Sequence, residues 1–168
     1  MARIAFLLDD VYEDSEFRVP YDRLREAGHE VVVLGLQQGK KVRGKQGDTF
    51  DVEAGPEAAD ATRFDAVVVP GGYSPDKIRT DAKLVALVKE TALANKPVAA
   101  ICHAGWVLAE ADVVRGRTVT SYPSIRTDLI NAGATWVDEE VVVDGPLITS
   151  RKPSDLDAFC DRVLKSLT

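Results

Sequence analysis

The sequence is poor in the two residue types that hold disulfide-rich and zinc-bearing domains together. It contains two cysteines, Cys102 and Cys160, with no Cys-x-x-Cys pair, and two histidines, His29 and His103. Two widely separated cysteines fit a reducing compartment better than a disulfide framework. Two histidines are too few for one chain to build an imidazole-rich metal site. We therefore expect a cytoplasmic protein with no bound metal and no cofactor.

Long apolar runs and an excess of basic residues are also missing. No apolar stretch approaches the roughly 20 residues that span a bilayer, and the run at 1–8 meets two aspartates before it reaches the length of a signal peptide. The formal net charge is -6, which disfavours attraction to nucleic-acid phosphates and anionic lipids. We expect no export, no membrane insertion and no nucleic-acid partner. The small basic cluster at 40–45 fits a solvated loop or hairpin.

Short apolar runs alternate with segments of helical spacing. The runs lie at 4–8, 31–36, 66–69 and 98–101, and unbroken runs of this length are typical of strands buried on both faces of a parallel sheet. Phe17, Tyr21 and Leu24 recur at the spacing of an amphipathic helix. A chain of 168 residues with 45% hydrophobic content can bury one core. The sequence predicts a single α/β domain over 1–168.

Turn and cap residues predict several boundaries of these elements. Pro20 should bend the first helix or mark its start, because proline lacks the backbone donor of a helix interior. Asp81, Ser74 and Ser154 stand where helix N-caps are expected. The tight-turn pair at 144–145 between two extended runs predicts an antiparallel hairpin. The helix after this hairpin should bury Cys160.

The segment 98–106 carries the strongest chemical signal. An apolar strand runs directly into Cys102 and His103, and the small residues Ala104 and Gly105 follow. Small neighbours permit the sharp bend of a nucleophile elbow, and the N-terminus of a following helix stabilises a thiolate. The alternative is that Cys102 is a small buried hydrophobe. Adjacency in sequence does not by itself bring His103 within hydrogen-bond distance of the sulfur.

Two other polar segments follow strands at the same predicted edge of the sheet. Gly71 and Gly72 follow the strand at 66–69, where a glycine turn can aim backbone N–H groups at an oxyanion. An ordinary structural turn is the alternative. The acidic stretch 9–14 follows the first strand, and one protonated carboxyl from it can donate to a sulfur, although helix capping competes as an explanation. Because open α/β folds place ligand crevices at the carboxyl ends of strands, we expect these segments to converge on Cys102.

With these motifs, the chain resembles the PfpI-type intracellular protease family. That family belongs to a superfamily that includes the parkinsonism-associated deglycase and class I glutamine amidotransferase-like domains. The similar segments run in order along nearly the whole chain, at 12–14, 24–31, 70–72, 100–103, 120–123 and 142–145. The resemblance implies a flavodoxin-like three-layer α/β sandwich with a mainly parallel sheet and a C-terminal hairpin.

The resemblance also implies a set of site residues. Cys102 is the implied nucleophile, Glu13 the protonated carboxyl that hydrogen-bonds its sulfur, and His103 the neighbouring base. Backbone amides of the Gly71-Gly72 turn and of His103 would form the oxyanion site. An acid just after this turn, here Asp76, would reach the histidine of an adjacent subunit. The resemblance therefore implies a homo-oligomer, either a dimer or a hexamer.

The functional expectation is a cysteine-dependent enzyme of the stress response. The Cys102 thiolate would attack a carbonyl, backbone amides would hold the oxyanion, and water or a proton shift would complete turnover. The resemblance implies either small reactive aldehydes such as methylglyoxal and their adducts on proteins, or peptides. We favour the aldehydes, because a small site between subunits leaves little room for folded protein. The alternatives are an intracellular cysteine peptidase and a non-catalytic redox sensor or chaperone.

Overall fold

The computed structural model describes residues 1–168. The strands are β1 (Arg3–Leu7), β2 (Glu30–Leu34), β3 (Lys41–Arg43), β4 (Thr49–Asp51), β5 (Ala66–Val69), β6 (Val98–Ile101), β7 (Thr118–Val119), β8 (Thr135–Trp136), β9 (Val142–Asp144) and β10 (Leu147–Ser150). The helices are α1 (Asp14–Glu26), α2 (Ser74–Ile78), α3 (Ala82–Leu93), α4 (Gly105–Glu110), α5 (Arg126–Asn131) and α6 (Leu156–Ser166).

Six of these strands form the central sheet, in the order β2-β1-β5-β6-β10-β9. All neighbouring pairs are parallel except β10 and β9, which pair antiparallel as the predicted hairpin. The four apolar runs that the sequence assigned to buried strands are all in this sheet. The predicted mainly parallel sheet with a C-terminal hairpin is confirmed.

The sheet is covered by helices on both faces. Alternate residues of each strand point to opposite faces, so Ala5 and Leu7 of β1 join one apolar cluster while Ile4 and Phe6 join the other. The first cluster includes buried residues of α3 and α4, and the second includes those of α1 and α6. Cys160 lies in the second cluster and is 2% exposed. This arrangement is the expected three-layer sandwich.

Two of the predicted helix boundaries differ from the structure. Pro20 lies inside α1, which begins at Asp14, so Pro20 does not start this helix. The helix continues because Phe17, Tyr21 and Leu24 are buried on one of its faces, and core packing outweighs the missing donor of the proline. The Ser154 prediction is wrong, since α6 begins at Leu156 and no side chain caps it.

The two other cap predictions have different outcomes. Asp81 caps α3 as expected, because its Oδ1 accepts the backbone N–H groups of Lys83 at 2.9 Å and Leu84 at 3.0 Å. Ser74 is the first residue of α2 rather than a cap, and its Oγ accepts the N–H of Asp9 at 2.8 Å. This hydrogen bond joins the end of β1 to the start of α2, beside the site described below.

The basic cluster lies on and beside the small antiparallel hairpin of β3 and β4. Lys45 lies in the connection between the two strands, and its backbone N–H donates to the carbonyl of Tyr12 at 2.9 Å. The hairpin thereby packs over the carboxyl end of β1. None of the helices combines the length and the apolar composition that a bilayer-spanning helix needs.

Candidate active site

Cys102 occupies a sharp turn between β6 and α4. It begins a 3-10 turn, Cys102–Ala104, and its φ of 63° lies in the left-handed region that residues other than glycine rarely adopt. Its side chain is 8% exposed and faces a cavity of about 390 Å³ at the carboxyl ends of the strands. The predicted elbow therefore presents the sulfur to a ligand-sized space rather than to the core alone.

The imidazole of His103 does reach the sulfur, although adjacent side chains usually diverge. Its Nδ1 lies 3.2 Å from Cys102 Sγ, and its Nε2 lies 3.1 Å from Ser124 Oγ. The ring stacks on Tyr122, with centroids 5.0 Å apart and planes inclined by 24°. The sharp backbone turn at Cys102 brings the two side chains to the same side. The Cys-His pair that the sequence left open is present.

The carboxyl next to the sulfur belongs to Glu16, not to Glu13. Glu16 lies in the first turn of α1, is fully buried, and its carboxyl lies beside the Cys102 side chain. Its Oε1 also accepts the backbone N–H of Gly71 at 3.0 Å. Glu13 precedes α1 and its Oε2 lies 3.4 Å from Lys45 Nζ, at the wall of the same cavity. The expected position of Glu13 beside the sulfur is therefore wrong.

The two residues differ because of helix geometry. Glu16 shares the inward face of α1 with Phe17, Pro20 and Tyr21, which are all buried, whereas Glu13 precedes the helix. A carboxylate within an otherwise apolar helix stripe is the sequence signal that identifies Glu16. Glu16 could not be found in this way from the acidic stretch 9–14, because that stretch ends before Glu16.

The main-chain donors also differ in part from the expectation. The backbone N–H groups of Gly72 and His103 lie close to Cys102 and lower the pKa of its thiol, against the larger effect of burial. The N–H of Gly71 is already used by Glu16. Gly71 is thus not an oxyanion donor, and it positions the buried carboxyl instead.

Both of these turn glycines are needed for close packing. A Cβ at Gly71 would lie 2.7 Å from the Cβ of Cys102, and one at Gly72 would lie 2.5 Å from the backbone N of Glu13. Gly72 also has a φ of 78°, which a residue with a side chain adopts only with strain. The Pro-Gly-Gly segment therefore brings the main chain into close contact with Cys102.

The electrostatics favour a neutral thiol at rest. Burial raises the pKa of Cys102 to about 12, and the nearby Glu16 charge acts in the same direction. Burial likewise raises the pKa of Glu16 to about 8. Both groups keep their protons at pH 7, so the resting thiolate expected from the sequence is not what this environment stabilises. The thiol needs a base when it attacks.

His103 has the properties of that base. Burial lowers its pKa, and the charge of Lys45 acts in the same direction. The imidazole is therefore neutral at neutral pH and able to accept a proton at Nδ1. Lys45 lines the cavity and lies 5.9 Å from the centre of the Tyr73 ring, so one residue of the basic cluster belongs to the site. Its role was not found from sequence.

Asp76 lies on α2 with an exposed side chain. Its backbone N–H donates a hydrogen bond to the carbonyl of Tyr73 at 3.0 Å. Contact between Asp76 and the histidine of an adjacent subunit stays a prediction.

No group of three or more histidine, cysteine, aspartate or glutamate side chains is arranged to hold a metal ion.

Comparison with known proteins gives one family for this fold and site. The model of the DJ-1/PfpI family matches residues 2–166. A deglycase of Pyrococcus abyssi is 46% identical over 165 residues, which cover 98% of this chain and 99% of that protein. Protein/nucleic acid deglycase 2 of Escherichia coli is 44% identical over 167 residues, which cover 98% of this chain and 97% of that protein.

A solved structure matches over the same extent of this chain. It is a two-domain protein of Anabaena variabilis with DJ-1/ThiJ/PfpI-like and ferritin-like domains, with 43% identity and a TM-score of 0.97. The match covers 99% of this chain and 48% of that protein, so this chain spans about half the length of the two-domain protein. The family model and the relatives agree with the cysteine turn and the flavodoxin-like sheet described above. The chain therefore belongs to the DJ-1/PfpI family.

Proposed function

We propose that this protein is a cysteine-dependent enzyme that removes reactive carbonyls, acting on α-oxoaldehydes such as methylglyoxal and on their early adducts with proteins. The observation that carries the proposal is the placement of Cys102 Sγ at a cavity, 3.2 Å from His103 Nδ1 and beside the buried carboxyl of Glu16. A nucleophile next to a base, with donors aimed at the reacting centre, is the arrangement that carbonyl addition requires.

In the first step, Sγ adds to the aldehyde carbon and His103 Nδ1 accepts the thiol proton. The thiolate therefore forms during attack, which fits a thiol whose pKa lies near 12. The carbonyl oxygen becomes an oxyanion and is stabilised by the N–H groups of Gly72 and His103. The product of this step, after the oxygen gains a proton, is a hemithioacetal on Cys102.

In the following steps, a hydrogen moves from the former aldehyde carbon to the adjacent ketone carbon. The first carbon is thereby oxidised and the second reduced, and the hemithioacetal becomes a thioester of a 2-hydroxy acid. Water then hydrolyses the thioester, which releases the acid and returns the thiol. The balance requires water alone, so no external oxidant, reductant or cofactor enters the cycle.

The size and chemistry of the cavity favour small substrates. A volume of about 390 Å³ accommodates an aldehyde or a modified side chain, and its walls include the rings of Tyr73, His103 and Tyr122. Relatives that match almost the full chain carry deglycase names, which supports carbonyl adducts as the substrate class. We also propose that the protein acts in the stress response, in the cytoplasm, and that this single-domain chain assembles into a homo-oligomer.

The decisive experiment compares turnover of methylglyoxal by three forms of the protein. The wild type should convert many equivalents to lactate, and Cys102→Ala should abolish conversion while its circular dichroism spectrum stays unchanged. Cys160→Ala is the matched control and should retain activity, because that thiol lies in the core. If the wild type formed only one equivalent of adduct, the proposed enzymatic function would be wrong and a redox sensor would be favoured. Cleavage of a fluorogenic peptide without methylglyoxal turnover would favour a peptidase.

A further inference from the structure

Ser124 touches the proposed base on the side away from the nucleophile. Its Oγ lies 3.1 Å from His103 Nε2, so the side chains of Cys102, His103 and Ser124 form a continuous line through the two ring nitrogens. Ser124 also lines the cavity. Nothing in the motif that led to Cys102 indicates this residue, which lies on a different segment of the chain.

The segment that carries Ser124 is fixed to the site at several points. The N–H of Tyr122 donates to the carbonyl of Cys102 at 3.2 Å, and the N–H of Thr120 donates to Thr149 Oγ1 at 3.0 Å. Trp136 Nε1 donates to the buried Ser121 Oγ at 2.9 Å. Ser124 itself lies in a 3-10 turn, Pro123–Ile125. The hydroxyl is therefore held in place by its backbone, despite its exposure to solvent.

The surroundings of the sulfur decide which ring nitrogen carries the proton. Cys102 Sγ already faces the N–H groups of Gly72 and His103 and the carboxyl of Glu16. Glu16 Oε1 accepts the N–H of Gly71, and Oε2 is buried without a hydrogen-bond partner, so the proton of the neutral carboxyl belongs on Oε2. The neutral thiol also has a proton to donate, and the acceptor within reach is His103 Nδ1, 3.2 Å from Sγ. An imidazole that accepts at Nδ1 carries its proton on Nε2.

We infer that Ser124 is a positioning residue, whose hydroxyl accepts a hydrogen bond from His103 Nε2–H and so keeps Nδ1 free to receive the Cys102 proton. Because Ser124 is exposed, its own hydroxyl proton can then be donated to solvent. When His103 takes the thiol proton, Ser124 keeps the same hydrogen bond, which becomes stronger because the donor is now charged. Within one chain, Glu16, Cys102, His103 and Ser124 thereby form a continuous series of contacts through the site.

The inference concerns the resting protein, and it rests on the proposed function only for its kinetic consequence. Besides Ser124, His103 contacts Cys102 and the rings of Tyr73, Trp106 and Tyr122, and it feels the charge of Lys45. Glu13 and Glu16 line the same cavity, and Asp128 accepts a hydrogen bond from Trp106. Substitutions at Ser124 leave all of these in place. A change in the protonation of His103 in such variants can therefore be assigned to the lost hydroxyl.

The test uses nitrogen-15 NMR of the imidazoles in the full-length protein. The sequence has only His29 and His103, and His29→Gln assigns the two sets of signals. His29 Nδ1 accepts the N–H of Ala2 at 3.0 Å, so its neutral ring is an internal reference for the Nε2–H tautomer. We expect neutral His103 to show the same tautomer in the wild type.

Ser124→Ala should mix the two tautomers of His103 and lower its pKa by about half a unit. Ser124→Thr, which keeps the hydroxyl, should restore both properties, and Thr127→Ala is the matched control for loss of an exposed hydroxyl on the same segment. With methylglyoxal, kcat/KM of Ser124→Ala should fall by about two- to tenfold, and the acid limb of its pH profile should move to lower pH.

A wild-type His103 protonated on Nδ1 would overturn the inference, as would a Ser124→Ala variant whose tautomer and pKa match the wild type. The NMR result stands even when no turnover is measured. Absence of turnover in the wild type, with the expected tautomer present, would remove the proposed function and leave the role of Ser124 in positioning the ring.

Discussion

The buried carboxyl of Glu16 lies beside the thiol of Cys102, so the first turn of α1 meets the turn after β6 at this point. Each group is removed from water, the contact with Cys102 favours the ionised form of Glu16, and the charge of Glu16 opposes ionisation of the thiol. The pair therefore behaves as one titrating unit. Its first proton is lost with a pKa of about 8, from Glu16, so both groups are mainly neutral at pH 7.

Replacing Glu16 should damage catalysis more than replacing Glu13. Glu16→Gln keeps the shape of the side chain but removes the titrating proton, and kcat/KM on methylglyoxal should fall by about 100-fold or more. Glu13→Gln removes only an interaction with Lys45 at the cavity wall, so its loss should stay within about tenfold. Steady-state kinetics across pH measure both. A larger loss of kcat/KM for Glu13→Gln than for Glu16→Gln would indicate that Glu13 is the catalytic carboxyl.

The unfolding free energy should fall as pH rises from about 5 to about 8. Burial raises the pKa of Glu16 from 4.5 to about 8 in the folded protein, so the folded state binds more protons than the unfolded state between these values. The stabilisation is complete below the lower pKa and is lost as pH passes the higher one. The loss is on the order of a few kcal/mol.

Urea unfolding of the wild type and of Glu16→Gln at pH 5, 7 and 9 measures this contribution. Since glutamine does not titrate, the variant should have a flatter dependence on pH over this range. Two parallel curves would show that the Glu16 carboxyl is not the source of the pH dependence. Cys102→Ala serves as the control for the thiol, whose pKa lies above the range tested.

Gly71→Ala should displace the buried carboxyl. The added methyl group would overlap Glu16 Oε1 and lie 2.7 Å from the Cβ of Cys102 and 2.8 Å from the carbonyl oxygen of Ile101. We expect a loss of about 1–3 kcal/mol in unfolding free energy and a larger relative loss of activity. Chemical denaturation and methylglyoxal kinetics measure the two effects. Wild-type activity in a stable Gly71→Ala variant would contradict this account of the turn.

Peroxide should oxidise Cys102 before Cys160. Cys102 faces the cavity and is 8% exposed, whereas Cys160 is 2% exposed on the core side of α6. Burial raises the pKa of both thiols, to about 12 and about 11, so thiolate character does not favour Cys102 and access decides the order. Peptide mass spectrometry over a peroxide time course follows each site. Earlier oxidation of Cys160 would contradict the prediction.

The parallel sheet and the elbow could be predicted because their signals are local. Apolar runs such as 98–101 fit buried strands in any arrangement, and the carboxyl ends of parallel strands share one edge. Cys102 and the Pro-Gly-Gly turn therefore had to approach each other. The start of α1 and the cap at Ser154 were harder to predict, because packing of the whole helix decides where it begins.

The sequence by itself determined the buried strands of the sheet and the position of Cys102 at a strand-to-helix turn, since unbroken apolar runs and small turn residues are local signals. Only the tertiary structure decided that Glu16 rather than Glu13 meets the sulfur, that Gly71 serves this carboxyl, and that Ser124 and Lys45 reach His103 and the cavity. These contacts join segments far apart in the chain. Their distances depend on how helices and loops pack on the sheet, which no local pattern of residues encodes.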